Sequence, residues 1–150
     1  MRRASERGVR VLACRPTEVE TQLSFAALVD VLGDLADQVL PQLPDPQREA
    51  LGAALLRVSP GTAPTPLGVS LGVLATIRAA AEAGPVLIAV DDVPWLDPSS
   101  AGVLEFALRR LEDAPVGLLA AQRTEGTRVT IPALVASIPA DRACRAFAED

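Results

Sequence analysis

The chain contains no histidine and no lysine, and these two absences exclude several kinds of chemistry. Without histidine there is no Ser-His-Asp triad, no Cys-His dyad and no histidine-ligated metal centre. Without lysine there is no Schiff-base nucleophile, and all 14 positively charged side chains are arginines. Because aromatic residues make up only 3% of the chain, its core must be built of leucine, valine and alanine.

Charge and cysteine usage favour a cytoplasmic protein without a nucleic-acid surface. The net charge of −5 argues against direct nucleic-acid binding by this segment. Cys14 and Cys144 lack the spacing of metal ligands, which predicts free buried thiols in a reducing compartment. The sequence has no run of about 18 apolar residues, so a membrane span is not predicted. Glu18 and Glu20 interrupt any apolar core of a signal peptide.

The N-terminus is basic, which leaves two interpretations open. Its arginines are Arg2, Arg3, Arg7 and Arg10. A nucleic-acid arm is one interpretation. A solvated helix end is favoured over it, because the negative end of the helix dipole attracts cations.

Apolar periodicity, interrupted by proline and glycine, predicts strands that alternate with helices. The predicted elements are a helix end at 1–8, strands at 9–13, 86–90 and 116–121, and helices at 24–40, 45–57, 67–83 and 98–113. The predicted N-caps are Ser24, Asp45 and Asp97, and one short helix is assigned within 130–147. This alternation predicts an α/β fold with a small parallel sheet flanked by helices.

Two adjacent carboxylates, Asp91 and Asp92, end the apolar strand that begins at Val86. The carboxyl end of such a strand is where open α/β sheets bind ligands. Mg²⁺ prefers carboxylate oxygens together with phosphates and water. We therefore predict Asp91 as a magnesium ligand, and Asp92 as an acid that polarises the attacking water. The alternative is a pair of solvated acids or helix-capping acids.

Weaker predictions concern Trp95, Asp97 and Arg123. Trp95 is expected to cover the core beside the sheet edge, and Asp97 to cap the helix that follows. Arg123, one residue beyond the predicted third strand, either senses phosphate charge or is an exposed arginine. A hydrolase that uses Asp91, Asp92 and Asp97 is remote, because three acids without histidine make a poor transition-metal site.

Three segments carry a family resemblance, namely Leu23–Asp30, Leu43–Leu51 and Val86–Asp97. Together they resemble the ATPase module of large ATP-binding LuxR-type transcriptional regulators, which belong to the STAND group of AAA-like P-loop ATPases. The likeness covers about residues 5–125. It implies that Asp91 is the Walker B magnesium ligand, that Asp92 is the neighbouring acid that assists hydrolysis, and that Arg123 is the arginine following the sensor strand. It also implies ATP and Mg²⁺ as cofactors, and a nucleotide-driven switch joined to a DNA-binding domain.

One departure limits this implied activity. The family places Gly-x-x-x-x-Gly-Lys-Ser/Thr ahead of the first strand, and a chain without lysine has no such loop. We expect residues 1–150 to form a single partial AAA-like domain, a fragment of a larger regulator, with the tail 126–150 least defined. We expect weak or no ATP binding, negligible hydrolysis, and partners that are other domains of that regulator or a separate protein. The alternative function is a non-catalytic interaction scaffold.

Overall fold

Four parallel strands and four helices form the described part of the chain. The computed structural model describes residues 6–59, 61, 63–124 and 143–149, with positions 123, 124 and 143–149 described by their backbone alone. In chain order the elements are β1 (Arg10–Cys14), α1 (Ala26–Val39), α2 (Asp45–Ala54), α3 (Pro66–Glu82), β2 (Val86–Val90), α4 (Pro98–Leu108), β3 (Val116–Thr124) and β4 (Ala143–Glu149). Short 3₁₀ turns occupy Glu18–Glu20, Leu40–Gln42 and Val93–Trp95.

The strands lie in the order β1-β2-β3-β4, and each neighbouring pair is parallel. Leu12, Ile88 and Leu118 stand opposite one another across the first three strands, and all three side chains are buried. Burial of the apolar run in β2 is what a parallel sheet covered by helices requires. The predicted α/β fold with a small parallel sheet flanked by helices is confirmed.

The helices cover the sheet through apolar faces whose spacing the sequence shows. In α1, Leu28, Leu32 and Leu35 are buried, whereas Val29 is 39% exposed, and Phe25 just before the helix is partly buried. Gly33 interrupts this helix with a φ of 42° and a ψ of −133°, so α1 is kinked at its centre. No helix among the described residues is long and apolar enough to cross a membrane.

Two predicted N-caps are wrong. Ser24 does not cap α1, which begins at Ala26 after Phe25 in a left-handed conformation with a φ of 67°. Asp45 is the first residue of α2 rather than its cap, because Pro44 precedes the helix and its carbonyl accepts the first turn's N–H groups.

Several predicted helix and strand limits differ from the structure, two of them for clear local reasons. Strand β1 begins and ends one residue later than the predicted 9–13. The helix predicted at 45–57 ends at Ala54, because Leu56 adopts a left-handed φ of 56° and the chain reverses. The helix predicted at 98–113 ends at Leu108, where tighter i→i−3 hydrogen bonds replace helical ones up to Leu111.

Pairing with β4 changes the predicted C-terminal elements. Strand β3 continues past position 121 to Thr124, because its last residues pair with β4. Arg123 therefore lies within β3, opposite Ala148, and not one residue beyond the strand. The helix assigned within 130–147 is wrong over 143–147, which is strand, while 130–142 lies outside the described residues. Residues 1–5 of the predicted N-terminal helix also lie outside them, and Gly8 has the left-handed φ of 76° expected of a helix stop.

Candidate functional site at the carboxyl edge of the sheet

The candidate site lies where β1 and β2 end side by side. Asp91 and Asp92 follow β2 directly, and Arg15 follows β1. The Asp91 N–H donates to the Cys14 carbonyl at 3.1 Å, which continues the strand pairing by one more residue. Because the strands are parallel, their carboxyl ends meet at one edge, and this is the edge at which α/β sheets bind ligands.

Asp91 forms an ion pair with Arg15 across this edge. The Arg15 Nε atom lies 3.4 Å from Asp91 Oδ2. The Arg15 side chain is 72% exposed and the Asp91 side chain is 45% exposed, so water reaches both partners. Such exposed pairs are weak and exchange readily. The Asp91 carboxylate is therefore accessible to a competing cation from solvent.

Asp92 is the point at which the chain leaves the sheet. It has a φ of 54° and a ψ of 54°, a left-handed conformation that aspartate tolerates better than most residues. The 3₁₀ turn Val93–Trp95 begins directly after it. Backbone outliers of this kind occur often at binding sites, where the surrounding structure holds them. Asp92 therefore lies at the carboxyl edge of the sheet, next to Asp91, and is half-buried like it.

Asp97, at the end of this loop, accepts hydrogen bonds from the first residues of two helices. Its Oδ1 accepts the Ser100 N–H at 2.9 Å, which caps α4 as the sequence predicts. The same Oδ1 accepts the Phe25 N–H at 2.9 Å, and Oδ2 accepts the Ala27 N–H at 3.2 Å. Asp97 is only 2% exposed, so it serves as the long-range cap of α1 that Ser24 does not provide.

Ser100 adds a second link between the same two helices. Its side chain is fully buried, and its Oγ accepts the Leu28 N–H at 3.2 Å. Both carboxylate oxygens of Asp97 accept backbone N–H groups, and no three acids among the described residues are grouped so that they could hold a metal ion. The hydrolase that would use Asp97 as a third metal ligand is therefore wrong.

Burial and nearby carboxylates act on the Cys14 thiol at the end of β1. The pKa of the buried Cys14 thiol is raised from 9.0 to about 12, chiefly by burial and further by the charges of Asp30, Asp97, Asp91 and Glu20. Cys14 is a free and buried thiol, as predicted, and its raised pKa keeps it protonated. Cys144 lies in β4 opposite Leu119, and its side chain is outside the described residues.

The donor set suits magnesium bound together with a phosphate better than a metal held by protein alone. Within residues 6–59, 61 and 63–122 no three or more His, Cys, Asp or Glu side chains are grouped so that they could hold a metal ion. Mg²⁺ is commonly bound by one or two carboxylates, and phosphates and water complete its octahedron. The half-exposed carboxylate of Asp91 fits that arrangement, and it would supply one hard oxygen ligand.

The other predicted positions lie around this edge in different ways. Trp95 is 39% exposed, so it stands partly out of the fold rather than simply covering the core. Its carbonyl is 3.5 Å from the Thr21 Oγ1 donor. Arg123 lies three positions beyond Ala120, the residue opposite Val90, which places its backbone past the level at which β2 ends.

Sequence reasoning missed Arg15 and the second role of Asp97. Arg15 could have been found, because it lies two residues after the predicted strand 9–13, near the same edge at which Asp91 follows its strand. The contacts between Asp97 and the start of α1 span 70 and 72 residues of chain, and no local pattern signals them.

Comparison with known proteins agrees with this geometry. Residues 1–119 match the family profile described as an AAA ATPase domain. No curated protein and no solved structure gives a significant match to the chain. The matched region contains β1, β2, the acidic loop and the helices that Asp97 joins. The chain therefore belongs to the AAA ATPase domain family.

Proposed function

We propose that this chain is the nucleotide-binding switch segment of a larger signal-transduction or transcriptional regulator. In this role Asp91 holds Mg²⁺ beside the nucleotide phosphates, Asp92 assists hydrolysis, and Arg123 senses the phosphate charge. The observation that carries the proposal is the half-exposed Asp91 carboxylate at the carboxyl end of β2. Membership of the AAA ATPase domain family supports a nucleotide-binding module.

The chemistry of the edge indicates weak nucleotide binding by this chain alone. A lysine and a glycine-rich loop normally supply most of the grip on the phosphates, and the chain has no lysine. Asp91 and Asp92 repel a bare triphosphate, so Mg²⁺ must neutralise part of the charge before the nucleotide approaches. We propose that further domains of the regulator, or a partner protein, complete the switch, and that this segment makes no direct contact with nucleic acid.

A titration with a fluorescent ATP analogue in the presence of Mg²⁺ tests the proposal. The wild-type chain is expected to bind in the millimolar range, and removal of Mg²⁺ with a chelator is expected to abolish binding. Asp91→Asn should weaken Mg²⁺-dependent binding about tenfold, because it removes the charged ligand. Asp45→Asn is the matched control, since Asp45 is an exposed acid in the first turn of α2.

Two results would contradict the proposal in different ways. Micromolar binding by the wild type would show that the missing lysine is dispensable. Equal binding by the wild type and Asp91→Asn would remove Asp91 from the site, and the interaction scaffold would then be the better description.

A further inference from the structure

The pairing of Arg15 with Asp91 gives the candidate site a cation as well as an acid. Of the four ion pairs among the described residues, this is the one that includes a candidate metal ligand. The guanidinium approaches the same carboxylate that the proposed function assigns to Mg²⁺. A guanidinium and a divalent ion cannot both be close to one carboxylate without repelling each other.

The backbone holds Arg15 at this edge while its side chain stays free to move. Arg15 directly follows β1, and Pro16, which is buried, follows it. A proline restricts the backbone conformation of the residue before it, which limits the directions that the Arg15 side chain can take from the end of the strand. Its side chain is 72% exposed, and its one ion pair with the described residues is the 3.4 Å contact to Asp91, so it can turn to a new anionic partner nearby.

We propose that Arg15 is a phosphate-binding residue of the nucleotide site, and that Asp91 holds it until Mg²⁺ takes its place. The ligand is the triphosphate group of a magnesium-bound nucleoside triphosphate. This inference rests on the proposed function, because it assumes that Asp91 binds the metal. Guanidinium groups donate several N–H bonds to phosphate oxygens in a fixed fork, which suits them to this task in a chain without lysine.

Thermodynamic linkage predicts that removing Arg15 changes two binding affinities in opposite directions. Without nucleotide, Arg15 competes with the metal for Asp91, so removing Arg15 must strengthen the binding of the free metal. With nucleotide, Arg15 contacts phosphate, so removing it must weaken the binding of the metal–nucleotide complex. A residue that only stabilises the fold would lower both affinities together.

The experiment measures both affinities for the full chain and three variants. Free Mn²⁺, a spectroscopic substitute for Mg²⁺, is titrated by electron paramagnetic resonance, and the fluorescent ATP analogue is titrated with Mg²⁺ in excess. Arg15→Gln is expected to bind free Mn²⁺ roughly two- to fivefold more tightly, as an exposed ion pair allows. It is expected to bind the magnesium–nucleotide complex about fivefold more weakly.

Arg57→Gln is the matched control, because Arg57 forms a comparable exposed ion pair with Asp37 at 3.0 Å. It should change neither affinity. Asp91→Asn separates the two proposals. If it leaves Mn²⁺ binding unchanged, the proposed function fails, and the role of Arg15 fails with it. If Asp91→Asn abolishes Mn²⁺ binding, the result for Arg15→Gln decides the role of Arg15 alone. That role is overturned if this variant leaves its affinities for free Mn²⁺ and for the magnesium–nucleotide complex unchanged, or shifts both in the same direction.

Discussion

The Asp97 carboxylate satisfies backbone donors of two helices that are distant in the chain. Phe25 and Ala27 donate from the start of α1, and Ser100 donates from the start of α4. The first N–H groups of a helix have no partner within it, and leaving them buried without an acceptor is costly. Since the loop from Asp91 to Asp97 ends at this carboxylate, the anchor also limits where Asp91 and Asp92 can lie.

Asp97→Ala is expected to lower the free energy of unfolding by about 2–4 kcal/mol, because three backbone N–H groups lose this acceptor. Asp97→Asn should cost about half as much, since its amide oxygen still accepts while its NH₂ group opposes the Ala27 N–H. Urea unfolding measures both values. Asp45→Asn, which alters an exposed acid, should stay within about 0.5 kcal/mol. A loss below about 1 kcal/mol for Asp97→Ala would show that water replaces the carboxylate.

At the residue scale, the sequence predicts those caps and strand-end positions that depend on neighbouring residues alone. Asp97 followed by Pro98 is a signature of a helix start, and the cap of α4 is confirmed. Ser24 carries a similar signal for α1, yet the cap comes from Asp97. The position of Asp91 at the strand end was predictable because it follows from one apolar run. The ion pair with Arg15 depends on strand order, which local pattern does not specify.

Helices α2 and α3 approach closely because two glycines of α3 face α2. A Cβ atom placed on Gly72 would lie 2.9 Å from Leu51 Cβ and 3.3 Å from the Gln47 carbonyl oxygen. A Cβ atom on Gly68 would lie 2.7 Å from Ala50 Cβ. Contacts this short require the helices to separate, so these glycines are needed for packing even though glycine is a poor helix former.

Gly72→Ala and Gly102→Ala should therefore change stability in opposite directions. The first gains about 1 kcal/mol of helix propensity and loses about 1–3 kcal/mol through overpacking, so a net loss of about 1 kcal/mol is expected. The second lies in α4 with nothing within 4 Å of its added Cβ, so it should gain about 0.5–1 kcal/mol. Thermal unfolding of both variants provides the measurement. Equal shifts would show that α2 moves away without cost.

Element types were predictable and several element ends were not. The apolar runs of β2 and β3 and the helical stripes of α1 and α3 depend on periodicity, which the chain shows clearly. The ends depend on contacts that distant parts make. Strand β3 extends to Thr124 because β4 pairs with it, and β4 itself lies where the local pattern favoured a helix. Backbone pairing with a neighbouring strand overrides weak local preference in such segments.

For the molecule as a whole, the absence of lysine leaves few side chains that titrate at alkaline pH. The chain has neither lysine nor tyrosine, so between pH 9 and 12 its side chains titrate mainly through two cysteines. Cys14 lies at the end of β1, buried below the candidate site, where burial and nearby acids raise its pKa from 9.0 to about 12. The free energy of unfolding therefore depends on pH through the thiol of Cys14.

The free energy of unfolding should fall by about 2 kcal/mol between pH 8 and pH 10.5, and remain nearly constant from pH 7 to pH 8. The folded thiol keeps its proton up to about pH 12 while the unfolded thiol loses it near 9.0, so unfolding releases a proton in this window and rising pH favours it. Urea unfolding across the window measures the slope. Cys14→Ala should remove that slope at some cost in packing, and Cys144→Ala should retain it. A slope that survives in Cys14→Ala would place the titrating group elsewhere.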